Sequence, residues 1–297
     1  MSVSRSRQVS RRALIASILV AAGAYPALAV AAPLPTAFTV QVTGKGQPMI
    51  LIPGLASSGA VWDSTVARYA QRYQCHVLSL AGFAGVPAVE GPLLKKVEQE
   101  LTQYIADQKL NRPIIVGHSL GGFLALQLAA NHPASVGKLV IVDSLPALGA
   151  TQMPDITPEQ LKSLAGRMRE QMLSGDPATQ DAARRATVAT MVTDAKDVDR
   201  VVDWGVKSDR TTVVNAMHDL LATDLRADVA RITAPTLVLG TWIAYKAYVP
   251  RAAVEGTFKT QYAKLAGVKI ELADNARHFI MFDDAPWLFA QLDAFLK

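Results

Sequence analysis

Cysteine is almost absent from this 297-residue sequence, and the single Cys75 excludes an internal disulfide. It lies in the apolar run YQCHVLSL, where a thiol is expected to be buried and inert. The five histidines form no HExxH pair and no cluster with zinc-ligand spacing, so no metal site is indicated. Basic blocks interleaved with aromatics are missing too, as are the signatures of nucleic-acid-binding domains. Residues 1–31 lack any carboxylate while holding Arg5, Arg7, Arg11 and Arg12. Those four arginines account for most of the formal charge of +5, so the basic balance is no argument for a nucleic-acid partner.

The same segment is expected to be an export signal that is removed. It has a basic start, an apolar run from Ala13 to Ala24, and small residues at Ala27, Ala29 and Ala31 suited to a leader peptidase. Arg11 and Arg12 resemble the twin-arginine type, which implies a folded, exported, periplasmic protein. The apolar run is too short to span the roughly 30 Å of a bilayer's hydrocarbon comfortably, so stable membrane insertion after leader removal is not expected.

Half of the chain is hydrophobic, enough for the large core of one α/β domain with an inserted piece. Seven short runs rich in Val, Ile and Leu recur, beginning near Phe38, Met49, Cys75, Pro113, Lys138, Pro235 and Val268. Most are continuous rather than alternating, as strands buried on both faces are. Segments with helical spacing lie between them, so the expected fold class is α/β, a mostly parallel central sheet with helices on both faces. From about 146 to 230 the alternation stops and four helix-like segments succeed one another. That interval reads as a helical cap inserted before the penultimate strand, dividing the core into residues 32–145 and 231–297. An insertion at the carboxyl ends of parallel strands would cover the ligand site, the alternative being a helical domain docked elsewhere.

The stretch RPIIVGHSLGGFLALQLAANHP carries the chemistry. An apolar strand runs into Gly117-His118-Ser119-Leu120-Gly121 and then directly into a helix, which is the G-x-S-x-G nucleophile elbow in its required strand-turn-helix setting. The turn holds Ser119 in a strained conformation, and small residues at 117 and 121 let the backbone pass.

On this elbow, the loop LIPGLASSG, the position of the insertion and a late histidine, the sequence from Phe38 onward resembles the α/β-hydrolase family. The resemblance implies the order Ser, acid, His, with the histidine on the loop after the last strand, which is His278. It implies an oxyanion hole from the backbone amides of Leu120 and Leu55, with Ala56 as the alternative to Leu55. The common place for the acid comes after the strand PTLVLG, yet the loop TWIAYKAYVP there has no Asp or Glu. Either the triad is incomplete or the acid comes from elsewhere. A second location in the family is the end of the strand before the cap, here Asp143 in KLVIVDS, and Asp143 is the acid assigned, with Asp274 next in order. Asp283 and Asp284 read as caps of the terminal helix. Trp62, Phe83, Trp242 and Met281 are expected to line an apolar substrate pocket.

A serine nucleophile disfavours halide displacement and epoxide opening. The expected function is acyl transfer to water on a small-molecule ester or related acyl derivative, without cofactor or metal. A C–C hydrolase or perhydrolase is the near variant, and a non-catalytic binder of the same fold is the alternative.

Overall fold

The computed structural model describes residues 1–2 and 36–297, so the expected export segment, beyond Met1 and Ser2, and its cleavage site lie outside the described residues. Seven strands form one sheet: β1 (Phe38–Thr43), β2 (Gln47–Ile52), β3 (Tyr73–Leu80), β4 (Ile114–His118), β5 (Lys138–Val142), β6 (Thr236–Thr241) and β7 (Lys269–Ala273). Their order is β1-β3-β2-β4-β5-β6-β7, with β1 antiparallel to β3 and all other pairs parallel.

The continuous apolar runs reflect coverage on both faces. In β2, Ile50 and Ile52 join the core on one side of the pleat, while Met49 and Leu51 join the core on the other. β5 repeats the division, with Leu139 and Ile141 on the first side and Val140 and Val142 on the second. Helices α1 (Asp63–Tyr69), α2 (Leu93–Asp107) and α3 (Leu120–Asn131) cover the sheet from the first half of the chain. α3 is buried along nearly its whole length, which explains its weakly amphipathic sequence.

Between β5 and β6 the chain makes four helices, α4 (Pro158–Ser174), α5 (Pro177–Met191), α6 (Ala195–Val206) and α7 (Arg210–Ala222). Capping residues that compete poorly for helix interiors stand at their starts. Thr157 forms a capping box with Gln160, and Asp194 and Asp209 accept amide bonds from Lys196 and Thr212. After β6 come α8 (Arg251–Gln261) and, beyond β7, a short α9 (Ile280–Asp283) and α10 (Ala285–Leu296). Among the described residues no helix is long and apolar enough to cross a membrane.

The strand order decides where the chemistry lies. β2, β4, β5, β6 and β7 are neighbours running the same way, so the loops leaving their carboxyl ends share one rim of the sheet. On that rim stand Gly54 and Leu55 after β2, Ser119 after β4, Asp143 after β5 and His278 after β7.

Candidate active site

Ser119 has φ 53° and ψ −119°, a conformation that side chains rarely accept, directly between β4 and α3. Its amide bonds the Val142 carbonyl at 2.9 Å, so the ladder to β5 continues one residue past the strand and anchors the turn. Glycine is required around it for space. A Cβ at 117 would meet the Gly121 oxygen at 2.2 Å, and one at 121 would meet the Ile52 oxygen at 2.3 Å. The G-x-S-x-G spacing thus lets β2, β4 and α3 pack closely enough to present the hydroxyl.

Asp143 repeats the strain on the neighbouring strand, with φ 46°. Its amide bonds the Leu239 carbonyl at 2.7 Å. Its carboxylate accepts the Thr241 amide at 3.0 Å on one oxygen and, on the other, the Thr241 hydroxyl at 3.1 Å and Nδ1 of His278 at 2.6 Å. A carboxylate can only accept here, so Nδ1 carries the proton and Nε2 is left with its lone pair. The structure thereby brings together two of the three residues assigned to the triad. The third, Ser119, lies with His278 on the wall of one cavity of about 660 Å³.

The residue type of Thr241 does not mark it out, because only its place beside the end of β5 makes it a partner of Asp143. Thr241→Val removes one bond to an ionised acceptor, worth about 1.5 kcal/mol. If Asp143 and His278 serve the hydrolysis expected from the sequence, turnover measured on folded protein should fall about tenfold in kcat, while Thr241→Ser stays within about twofold.

The other carboxylates go elsewhere. Asp274 accepts the Trp242 indole N–H at 2.7 Å and the Arg251 guanidinium at 2.9 Å, and these two donors hold its pKa down. Glu255 lies between Arg251 and Lys259 along α8. Asp284 caps α10, as expected, by accepting the Trp287 amide. Asp283 does not cap that helix. It accepts the amide and hydroxyl of Thr193 and the amide of Arg277, binding the start of the His278 loop to the inserted helices. Arg277 adds bonds to the carbonyls of Ala189 and Val192, and Phe279 N–H bonds that of Met191. The carbonyls orphaned at the end of α5 are thus satisfied by the loop that carries His278.

The inserted helices roof the cavity. Met172 of α4, Val188 and Met191 of α5, and Val213 and Met217 of α7 line it, facing Ser119, His278 and Phe279. Leu55 and Ala56 line it too, with Ala56 at φ 52°. Leu120, the first residue of α3, is fully buried immediately behind Ser119.

The four aromatic and sulfur side chains expected around the substrate are placed differently. Trp62 and Phe83 are 0% exposed and Met281 is 2% exposed, all three within the cores on either side of the sheet. Trp242 packs on one core's edge and points its N–H at Asp274. None lines the cavity. Large apolar groups next to a rim gain more by joining the core, at about 25 cal/mol per Å² removed from water. The walls come instead from aliphatic stripes of the insertion, such as Val188 with Met191 and Val213 with Met217. Their i, i+3 and i, i+4 spacing is the signal available in the sequence.

A sequence profile of the alpha/beta hydrolase family matches residues 49–291. The chain belongs to this family. This alpha/beta hydrolase is 36% identical over 142 residues to a pimeloyl-(acyl-carrier protein) methyl ester esterase of Aeromonas hydrophila, a match covering 46% of the chain and 52% of the relative. To the esterase of that name from Pectobacterium carotovorum it is 29% identical over 260 residues, covering 82% and 93% of the two chains. The chain spans about half the length of several of the curated relatives that it matches. Among solved structures, the enol-lactonase of Burkholderia xenovorans superposes with a TM-score of 0.70 over 87% of this chain and 96% of its own, at 17% identity, a likeness of fold.

Proposed function

We propose that this alpha/beta hydrolase is an exported serine hydrolase, which cleaves a carboxylic ester or related acyl derivative with an apolar portion through an acyl-enzyme on Ser119. The observation that carries the reading is the 2.6 Å contact between His278 Nδ1 and Asp143 Oδ2, on the rim where the strained Ser119 turn faces the same cavity. A serine hydroxyl needs a base to become a nucleophile. His278 takes the Ser119 proton on Nε2 as Oγ attacks the acyl carbon, and Asp143 stabilises the imidazolium. Negative charge moves to the carbonyl oxygen, where the amides of Leu55 and Leu120 receive it; losing one such donor costs about 3 kcal/mol. The imidazolium returns its proton to the leaving alcohol, leaving Ser119 acylated. A water, deprotonated by the same histidine, then releases the acid and restores Ser119.

The lining supports an aliphatic substrate portion. Three of its polar side chains already serve the insertion itself: Gln180 bonds the Met172 carbonyl, Ser208 that of Trp204, and Arg210 those of Met172, Leu173 and Gly175. Three methionines and five valines also line the chamber, surfaces that adapt to flexible chains. The relatives named as methyl ester esterases of a pimeloyl group point to the same bond class. The twin-arginine-like start supports export, which fractionation of cells expressing the full chain checks. Mature protein should reach the periplasm, and fail to do so when Arg11 and Arg12 are both replaced by Lys.

A fluorophosphonate probe tests the chemistry. Ser119 should be labelled within minutes, and labelling should disappear in His278→Ala. A folded wild-type protein that resists the probe would favour a ligand-binding member of the fold instead.

A further inference from the structure

The most buried histidine of the described chain stands beside the proposed triad and has no part in proton transfer. His118 ends β4, immediately before Ser119, and its ring is completely inaccessible. Its Nε2 lies 3.0 Å from the main-chain carbonyl oxygen of His278. A carbonyl only accepts, so Nε2 carries the proton and donates it. The ring centroids of His118 and His278 are 4.6 Å apart, and Phe279 packs against both, 4.8 Å from His118 and 5.5 Å from His278.

The remaining nitrogen, Nδ1, is buried with no hydrogen-bond partner. An unmet polar atom at this depth costs about 1–3 kcal/mol, and the bond made by the other nitrogen stands against that cost. Gly54 permits the arrangement. A Cβ there would stand 3.0 Å from Nδ1 and 3.2 Å from the Cβ of Ser119, so a side chain at this position would press on both residues where the loop after β2 closes over them. A second proton on His118 would face no acceptor, and burial together with the neighbouring His278 holds its pKa well below the usual imidazole value. The ring therefore remains a neutral, single-proton donor while His278 passes through its charged form.

The His278 loop is suspended between two supports. Arg277 and Phe279 bond the end of α5 in the insertion, on either side of residue 278. His118 bonds the main chain of residue 278 itself from within the sheet. Asp143 fixes the ring at Nδ1, but a ring held at one atom can still swing if its backbone shifts, and a displacement near 1 Å in such a site can cost about 100-fold in rate.

We propose that His118 is a positioning residue of the hydrolytic site, whose Nε2–H holds the main chain at His278 and so sets the reach of the His278 imidazole to Ser119. This role rests on the serine hydrolase reading. The test compares kcat and KM on an activated aryl ester for His118→Phe, His118→Gln and Ser119→Ala, each with thermal unfolding. Phenylalanine fills the ring's space without the donor, whereas the glutamine amide can reach the same carbonyl. His118→Phe should unfold cooperatively and lose about 30-fold in kcat, with KM within about twofold, because the ring borders the chamber but is itself fully buried, so the defect lies in geometry. His118→Gln should recover kcat to within about threefold of wild type. Should the phenylalanine variant not fold, His118→Asn, whose shorter amide falls short of the carbonyl, takes its place with the same expectation. Wild-type kcat in the donor-free variant, or a glutamine variant no better than it, would overturn the proposal. Ser119→Ala separates the two levels: turnover retained there defeats the hydrolase reading and this proposal together. An inactive Ser119→Ala beside a fully active His118→Phe defeats the positioning role alone.

Discussion

Turnover of an activated aryl ester should fall by about a million-fold when Ser119 is replaced by alanine, the scale on which a triad nucleophile acts. The size reflects what the hydroxyl does and how little else depends on it. It supplies the atom that becomes covalently bound, and no neighbouring group in the site is a substitute: His278 is engaged at Nδ1 by Asp143, and His118 at Nε2 by the main chain. The turn itself is built from the Ser119 amide on Val142 and from the glycines at 117 and 121, none of which the substitution touches. Alanine meets the same positive φ as serine, so the strain is unchanged and the fold should persist with an unaltered melting temperature. Stopped-flow or endpoint assays of ester hydrolysis, with circular dichroism on the same preparation, check both halves. A folded Ser119→Ala enzyme that still turns over would refute the nucleophile assignment.

The second large effect belongs to Asp143→Asn, for which kcat should drop about 10⁴-fold at nearly constant volume and fold. Asparagine has one acceptor oxygen and one amide, and both faces of residue 143 compete for them. The Thr241 N–H needs an acceptor at 3.0 Å, which claims the oxygen. The amide NH₂ is then turned to His278, where it meets Nδ1 as a donor and demands a lone pair there. The proton must move to Nε2, the atom that should accept from Ser119, so the base is switched to its wrong tautomer. Loss of the counter-charge to the imidazolium adds to the deficit. Steady-state kinetics with thermal unfolding on the variant decide the matter. A nearly wild-type kcat would mean that the acid is not Asp143. Asp274 is poorly placed to replace it, being held by Trp242 and Arg251.

The places where the chain can and cannot be read have physical causes. Central strands buried on both faces advertise themselves as unbroken apolar runs and the edge strands β1 and β7 as short alternating ones, so all seven are legible, and so are the four helices between β5 and β6 through their spacing. The elbow is legible because steric demand ties its residues together: a Cβ at 117 or 121 collides with backbone, and only a local pattern of small residues meets that demand. Asp143 can be named because TWIAYKAYVP contains no acid and the resemblance to the family offers a second location, the end of the strand before the insertion, which does. Its hold on Thr241 cannot, since the two residues are 98 positions apart and only the pairing of β5 with β6 joins them. The pocket misleads for a different reason. Aromatic type suggests substrate contact, but Trp62 and Phe83 are fully buried in the cores, where a large apolar group gains most. Asp283 has the local setting of a helix cap, yet it holds Thr193, 90 positions away, together with Arg277.

By itself, then, the sequence determined the α/β architecture, the interruption by a helical insertion, and a serine placed on a turn that only glycine neighbours allow, because each of these is written in residues close together along the chain. The tertiary structure decided which carboxylate meets His278, which stripes of the insertion wall the chamber, and that His118 reaches the His278 carbonyl from the end of β4. Those are contacts between loops brought to one rim by strand order, and strand order is set by packing among distant segments.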